Sequence, residues 1–151
     1  MASYANRIRQ LRERLGKSHA QVAAAIGINL PWYYDVEDHD DEVTTTLSLR
    51  QVYRLAGALG VTMRQLLATG DDFEKVSPER LTLADIAYQV QSKADVKGIV
   101  PVEDAVGWRL DHFLKDPASA WDEPADFLRC VCEFLGLDWI DAIPADPPAD
   151  R

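Results

Sequence analysis

The chain has 151 residues, 47% hydrophobic and 27% charged, with a net charge of −9. This is the composition of a folded globular protein, which excludes a disordered one. No apolar run approaches the roughly 18 residues of a membrane helix, and the N-terminal stretch lacks the continuous apolar core of a secretion signal, so a cytoplasmic protein with no membrane partner is expected.

The first helix is expected over "SYANRIRQLRERL", where Tyr4, Ile8, Leu11 and Leu15 recur at helical spacing. Arg7, Arg9, Arg12 and Arg14 decorate its remaining faces, and Gly16 stops it. "SHAQ", Ser18 to Gln21, is a capping-box pattern that opens a second helix with Val22, Ala23 and Ile26, closed by Gly27. Asn29 caps a third, Pro31 fits its first turn, and Tyr33 and Val36 face inward. "HDDEVTTT" reads as an exposed loop. Two further capping boxes, at Ser48 and Thr62, introduce helices carrying Val52, Leu55, Ala56 and Leu59, then Leu66 and Leu67. Five short helices thus fill about 65 residues.

Beyond a linker at 71–81, "LTLADIAYQVQ" offers Leu83, Ile86, Ala87 and Val90 as an apolar stripe. "PVEDAVGWRLDHFL" reads as one helix from Pro101, with Val102, Val106, Leu110 and Phe113 on one face. "DPASAWDEP" reads as a loop from which Asp122 caps the helix "EPADFLRCVCEFLG". A last turn, "DWIDAI", precedes a Pro/Asp-rich tail, 144–151, expected to be disordered. No segment has the period-2 alternation of a strand. The fold class is all-α.

Cys130 and Cys132 lie two apart on a helix and point in different directions, so they read as reduced packing residues. His19, His39 and His112 have no metal-ligand spacing. Asp111-His112 is accompanied by no nucleophile motif or phosphate loop, so no enzyme and no cofactor are expected. A shift of 76 residues places Trp32 on Trp108, Asp35 on Asp111, Asp40 on Asp116 and Leu59-Gly60 on Leu135-Gly136. With Lys17 on Lys93 these are six identities, near chance. Duplication and convergent use of a Gly-terminated helix both account for them.

"IRQLRERLGKS", then "QVAAAIGI", then "LAGALGVTMRQLL" occur in order within residues 8–67. In that order and spacing they resemble the helix-turn-helix domain of the Xre, or lambda-repressor-like, family. The resemblance implies a five-helix bundle over residues 1–70; the apolar stripes beyond it give a smaller helical C-terminal unit over 82–143, either separate or packed on the first. It also implies a transcriptional regulator whose helix from about Leu30 to Glu37 enters the major groove. An arginine–glutamate pair of the family falls on Arg12 and Glu37, where it would tie helices together. Positions that face bases and phosphates fall on His19, Asn29, Leu30, Pro31, Trp32, Tyr34, Asp35 and Asp38.

Those residues do not suit DNA. "NLPWYYDVEDHDDE", residues 29 to 42, holds six acids and no lysine or arginine, and none of its side chains can make a bidentate arginine–guanine contact. Residues 1–75 carry nine basic and ten acidic residues, and residues 76–151 seven and fifteen, so the whole field repels polyanions. If DNA is bound, binding is expected to be weak and to rest on phosphate contacts by Arg7, Arg9, Arg50 or Arg54. The alternative is a protein-interaction module using Trp32 and Tyr34 as an aromatic pair rimmed by acids. A third reading is a small-molecule sensor pocket between the halves, lined by Trp108, Trp121 and Trp139. A homodimer through the apolar second half is a further expectation.

Overall fold

The computed structural model describes residues 3–68 and 81–144. The expected linker and tail lie outside the described residues, save for Leu81 and Pro144. Six helices make the first half: α1 (Tyr4–Arg14), α2 (His19–Ile26), α3 (Leu30–Asp38), α4 (Glu42–Thr45), α5 (Leu49–Ala58) and α6 (Met63–Leu67). The second half holds α7 (Leu83–Lys97), α8 (Ile99–Val106), α9 (Asp111–Lys115), a 3-10 turn (Pro117–Asp122), α10 (Ala125–Phe134) and a final 3-10 turn (Trp139–Ala142). Among the described residues there is no strand, only one isolated antiparallel bridge between Ser48 and Pro124. The fold is all-α.

Local chemistry sets the helix starts. Ser18, Ser48 and Thr62 each accept the backbone N–H three residues on, and Gln21, Gln51 and Gln65 each return the bond. Each box satisfies two of the donors that a helix N-terminus leaves free. Thr82 and Asp85 form a fourth at the head of α7. Gly27 closes α2 at φ +84°, a left-handed turn that a side chain would strain. It aims the chain directly into α3.

Four expectations are corrected. "HDDEVTTT" is not wholly loop: α4 forms there and buries Val43 and Thr44. "DPASAWDEP" contains the 3-10 turn that carries Trp121 into the core. The helix expected from Pro101 through Phe113 is two, because Gly107 takes φ +84° and ends α8 before α9 begins. Asp122 does not cap α10. It faces Arg50 at 3.3 Å instead, and the N-terminal flank of α10 is Pro124, with no side-chain cap.

A single apolar core runs through both halves, from Ile8 and Tyr33 to Trp121 and Ile143. The junction is tied at both ends. At one, the Leu49 N–H donates to Glu123 O at 2.9 Å, and Trp121 meets Tyr53 edge-to-face at 5.8 Å. At the other, Arg64 donates to the carbonyls of Ile140 and Ile143 at 3.2 and 2.5 Å. Trp121 is only 1% exposed, so its truncation removes a large share of junction contact. Trp121→Ala is expected to cost about 3–5 kcal/mol. The loss should lower one transition seen alike by probes in either half during denaturant unfolding; a half that unfolds unaffected would contradict the shared core.

Candidate functional site

Three inward residues of α3, Tyr33, Val36 and Glu37, decide its orientation. Tyr33 and Val36 are wholly buried hydrophobics, and Glu37 is 2% exposed. A lone carboxylate at such depth would be costly, and Arg12 of α1 resolves it. Its Nε donates to Glu37 Oε2 at 2.7 Å and its Nη2 to Oε1 at 3.1 Å, while Nη1 donates to Lys17 O at 3.0 Å. The two side chains meet as a bidentate fork. Burial alone would raise the Glu37 pKa; hydrogen bonds and charge from Arg12, with the nearby Tyr33 and His19, outweigh it and hold the carboxyl below its ordinary value. The Tyr33 hydroxyl lies buried beside the pair without reaching hydrogen-bond geometry, and burial first, then Glu37, pushes its pKa well up.

With that face inward, the opposite face of α3 is fixed. Pro31, Tyr34, Asp35 and Asp38 are exposed, and Leu30 and Trp32 are half-buried. Asn29 is occupied as the cap, accepting the Trp32 backbone N–H at 2.9 Å. The Trp32 ring is held as well: its Nε1 donates to Thr46 Oγ1 at 3.1 Å, which lays it along α4 rather than standing free. Tyr34 is 44% exposed and tilts against His19, ring centres 4.9 Å apart. His19 also places Nε2 3.6 Å from Glu37 Oε1. Exposed Asp40 and Asp41 follow directly.

The expected phosphate contacts are redistributed. Arg7 is corrected outright: it is 5% exposed and donates to Leu66 O and Ala68 O at 2.8 and 2.7 Å, neutralising the C-terminal end of α6. Arg9 donates to Glu37 O at 2.8 Å and lies 3.9 Å from the Asp38 carboxylate. Arg50 faces Asp122, with its guanidinium 6.0 Å from the centre of the Trp121 ring. Lys17 donates to Ala58 O at 2.7 Å, ending α5. Arg54 is exposed, bonds to no other described residue, and stands beside Gly27 at the turn. Of the three C-terminal tryptophans, Trp121 packs on Tyr53 and Trp108 on Phe127, whereas Trp139 lines a cleft of about 460 Å³ with Tyr4, Asp40 and Arg129.

A family model described as a helix-turn-helix domain matches residues 3–69. This segment is similar to a helix-turn-helix domain, and the resemblance drawn from residues 8–67 lies inside the match. α2, the Gly27 turn and α3 fall within it. No curated protein and no solved structure matches the chain. Among the described residues no helix is long and apolar enough to cross a membrane, and no cluster of His, Cys, Asp or Glu could hold a metal. Cys130 and Cys132 are free thiols, and burial pushes the Cys132 thiol up to about 12, where it is unreactive.

Arg12→Met leaves Glu37 buried without its partner and is expected to cost about 3–5 kcal/mol. Adding Glu37→Met should restore most of that loss in denaturant melts, since the pair then vanishes together; equal loss in both variants would refute the coupling. The pH dependence has a defined sign. A carboxyl whose folded pKa is depressed contributes stability above its unfolded value of about 4.3, and that contribution is lost as pH falls through the folded value. Glu37→Gln is therefore expected to show a shallower acid loss than the native chain.

Proposed function

We propose that this protein is a helix-turn-helix regulator whose α3 surface meets a protein partner rather than the base edges of duplex DNA. The observation that carries this reading is the charge of that surface. Its exposed ionisable residues are Asp35 and Asp38, continued by Asp40 and Asp41, while the neighbouring cations Arg7, Arg9, Arg12 and Lys17 are bonded to carbonyls or carboxylates of the domain itself. Affinity for duplex comes from cations that displace counterions from phosphates, and among the described residues Arg54 is the exposed arginine beside the Gly27 turn.

The same surface has the makings of a protein contact. Tyr34 and His19 form a tilted aromatic pair, with Leu30, Pro31 and Trp32 as apolar surround and carboxylates at the rim. Aromatic anchors within an excluded-water ring are where interface energy concentrates. An arginine or lysine of the partner would find both a ring face and a carboxylate there. The partner is accordingly a protein with a basic, partly apolar surface.

Fluorescence anisotropy with a random-sequence duplex tests the reading. The native chain is expected to show no saturable binding at about 50 mM salt, while Asp35→Lys/Asp38→Lys gains binding that fades toward about 200 mM. A photo-cross-linking residue in place of Tyr34 should yield a protein adduct in cell extract, lost on adding Asp35→Lys/Asp38→Lys. Saturable, salt-sensitive duplex binding by the native chain, or a nucleic-acid adduct at position 34, would overturn it.

A further inference from the structure

The two halves share a plan that the sequence hides. A shift of 76 residues carries α5, Leu49–Ala58, onto α10, Ala125–Phe134, with the same bounds at both ends. Both helices end on a leucine, Leu59 and Leu135, followed by a left-handed glycine, Gly60 at φ +76° and Gly136 at φ +74°. The bond that closes the turn also repeats: Val61 N–H to Ala56 O at 3.0 Å, and Leu137 N–H to Cys132 O at 2.8 Å. Thr62 and Asp138 then cap α6 and the final 3-10 turn, which start in register at Met63 and Trp139. Buried positions correspond through this stretch, Val52 with Leu128, Leu55 with Val131 and Leu67 with Ile143.

Upstream the shift is 80 residues. It carries α2, His19–Ile26, onto α8, Ile99–Val106, and each helix ends on a glycine at φ +84°. The change of register falls on the next helix: α3 has nine residues and α9 has five, so the second reading helix is about one turn shorter. Its N-terminus is also blocked, because Glu103 Oε2 accepts the Leu110 N–H at 2.6 Å. A carboxylate already seated at a helix N-terminus opposes the approach of a phosphate.

The packing of the halves is reciprocal. Ser48 and Pro124, equivalent under the 76-residue shift, pair with each other across the isolated antiparallel bridge. Arg64 and Ile140, also equivalent, meet at 3.2 Å. α4 of the first half packs on α10 of the second, while its counterpart, the turn Pro117–Asp122, packs on α5. Equivalent residues that touch each other, with contacts exchanged in pairs, are the signature of a twofold, self-complementary interface.

We infer that the C-terminal half is a second helix-turn-helix unit, docked on the α4–α5–α6 face of the first across an internal twofold axis. The chain is thereby its own dimer and presents one full-length α3 surface per particle. The shortened second unit serves as the fixed partner that fills the self-association face, which replaces the homodimer expected from the sequence. This holds whether α3 meets a protein or DNA, so its test is independent of that question.

Two measurements on the native full-length chain decide it. Light scattering during gel filtration is expected to give the mass of one chain at every concentration; a two-chain particle would overturn the inference. Hydrogen exchange reads the junction itself. The Leu49 N–H is a first-position amide with no acceptor inside its own helix, and Glu123 O supplies one. Among the described residues, the corresponding amides of α2 and α6, His19 and Met63, face no such acceptor. Leu49 is expected to exchange slower than either by about a hundredfold or more. Equal rates at the three positions would overturn the docking.

Discussion

The bond between Arg12 and Glu37 sets what this molecule presents to the outside. Once α3 turns Tyr33, Val36 and Glu37 inward, the 3.6-residue period leaves Pro31, Tyr34, Asp35 and Asp38 no place but the opposite face. The pair holds that rotation because neither charge tolerates its site alone. Glu37 at 2% and Arg12 at 8% exposure take their hydrogen bonds from each other and, for Arg12, from the Lys17 carbonyl.

The same economy of cations runs through the first half. α1 and the loop after it look basic in sequence; Arg7, Arg9, Arg12 and Lys17 bond to helix ends and to α3 itself, while Arg14 stays exposed. Positive groups at C-terminal carbonyls complement the helix dipole, while Asp35 and Asp38 on the exposed side of α3 face solvent. That distribution, with the net charge of −9, is what the proposed protein-facing role of α3 rests on.

The sequence reveals those features whose signals are local. The three Ser/Thr–Gln capping boxes, the Gly27 turn and the inward Tyr33 and Val36 are all readable from short-range chemistry. Features set by tertiary contact are not. α4 spans four residues, "EVTT", too few for a period, and its burial depends on α10. Val102, Val106, Leu110 and Phe113 keep a helical spacing across Gly107, so the stripe conceals the break between α8 and α9. Arg7 occupies an ordinary polar position of α1; only the incoming end of α6 explains its burial. The repeated plan is preserved in helix ends and glycine turns rather than in residue identity, and the four residues missing from α9 throw any single alignment out of register.

An amide-resolved NMR titration of the full chain with duplex DNA at low salt reads directly whether α3 stays out of a duplex groove, as proposed. The account predicts that the amides of Leu30 to Asp38 stay where they are, with any small shifts confined to the neighbourhood of Arg54. Saturable shifts along the exposed face of α3, at Tyr34 and Asp35 above all, would contradict it.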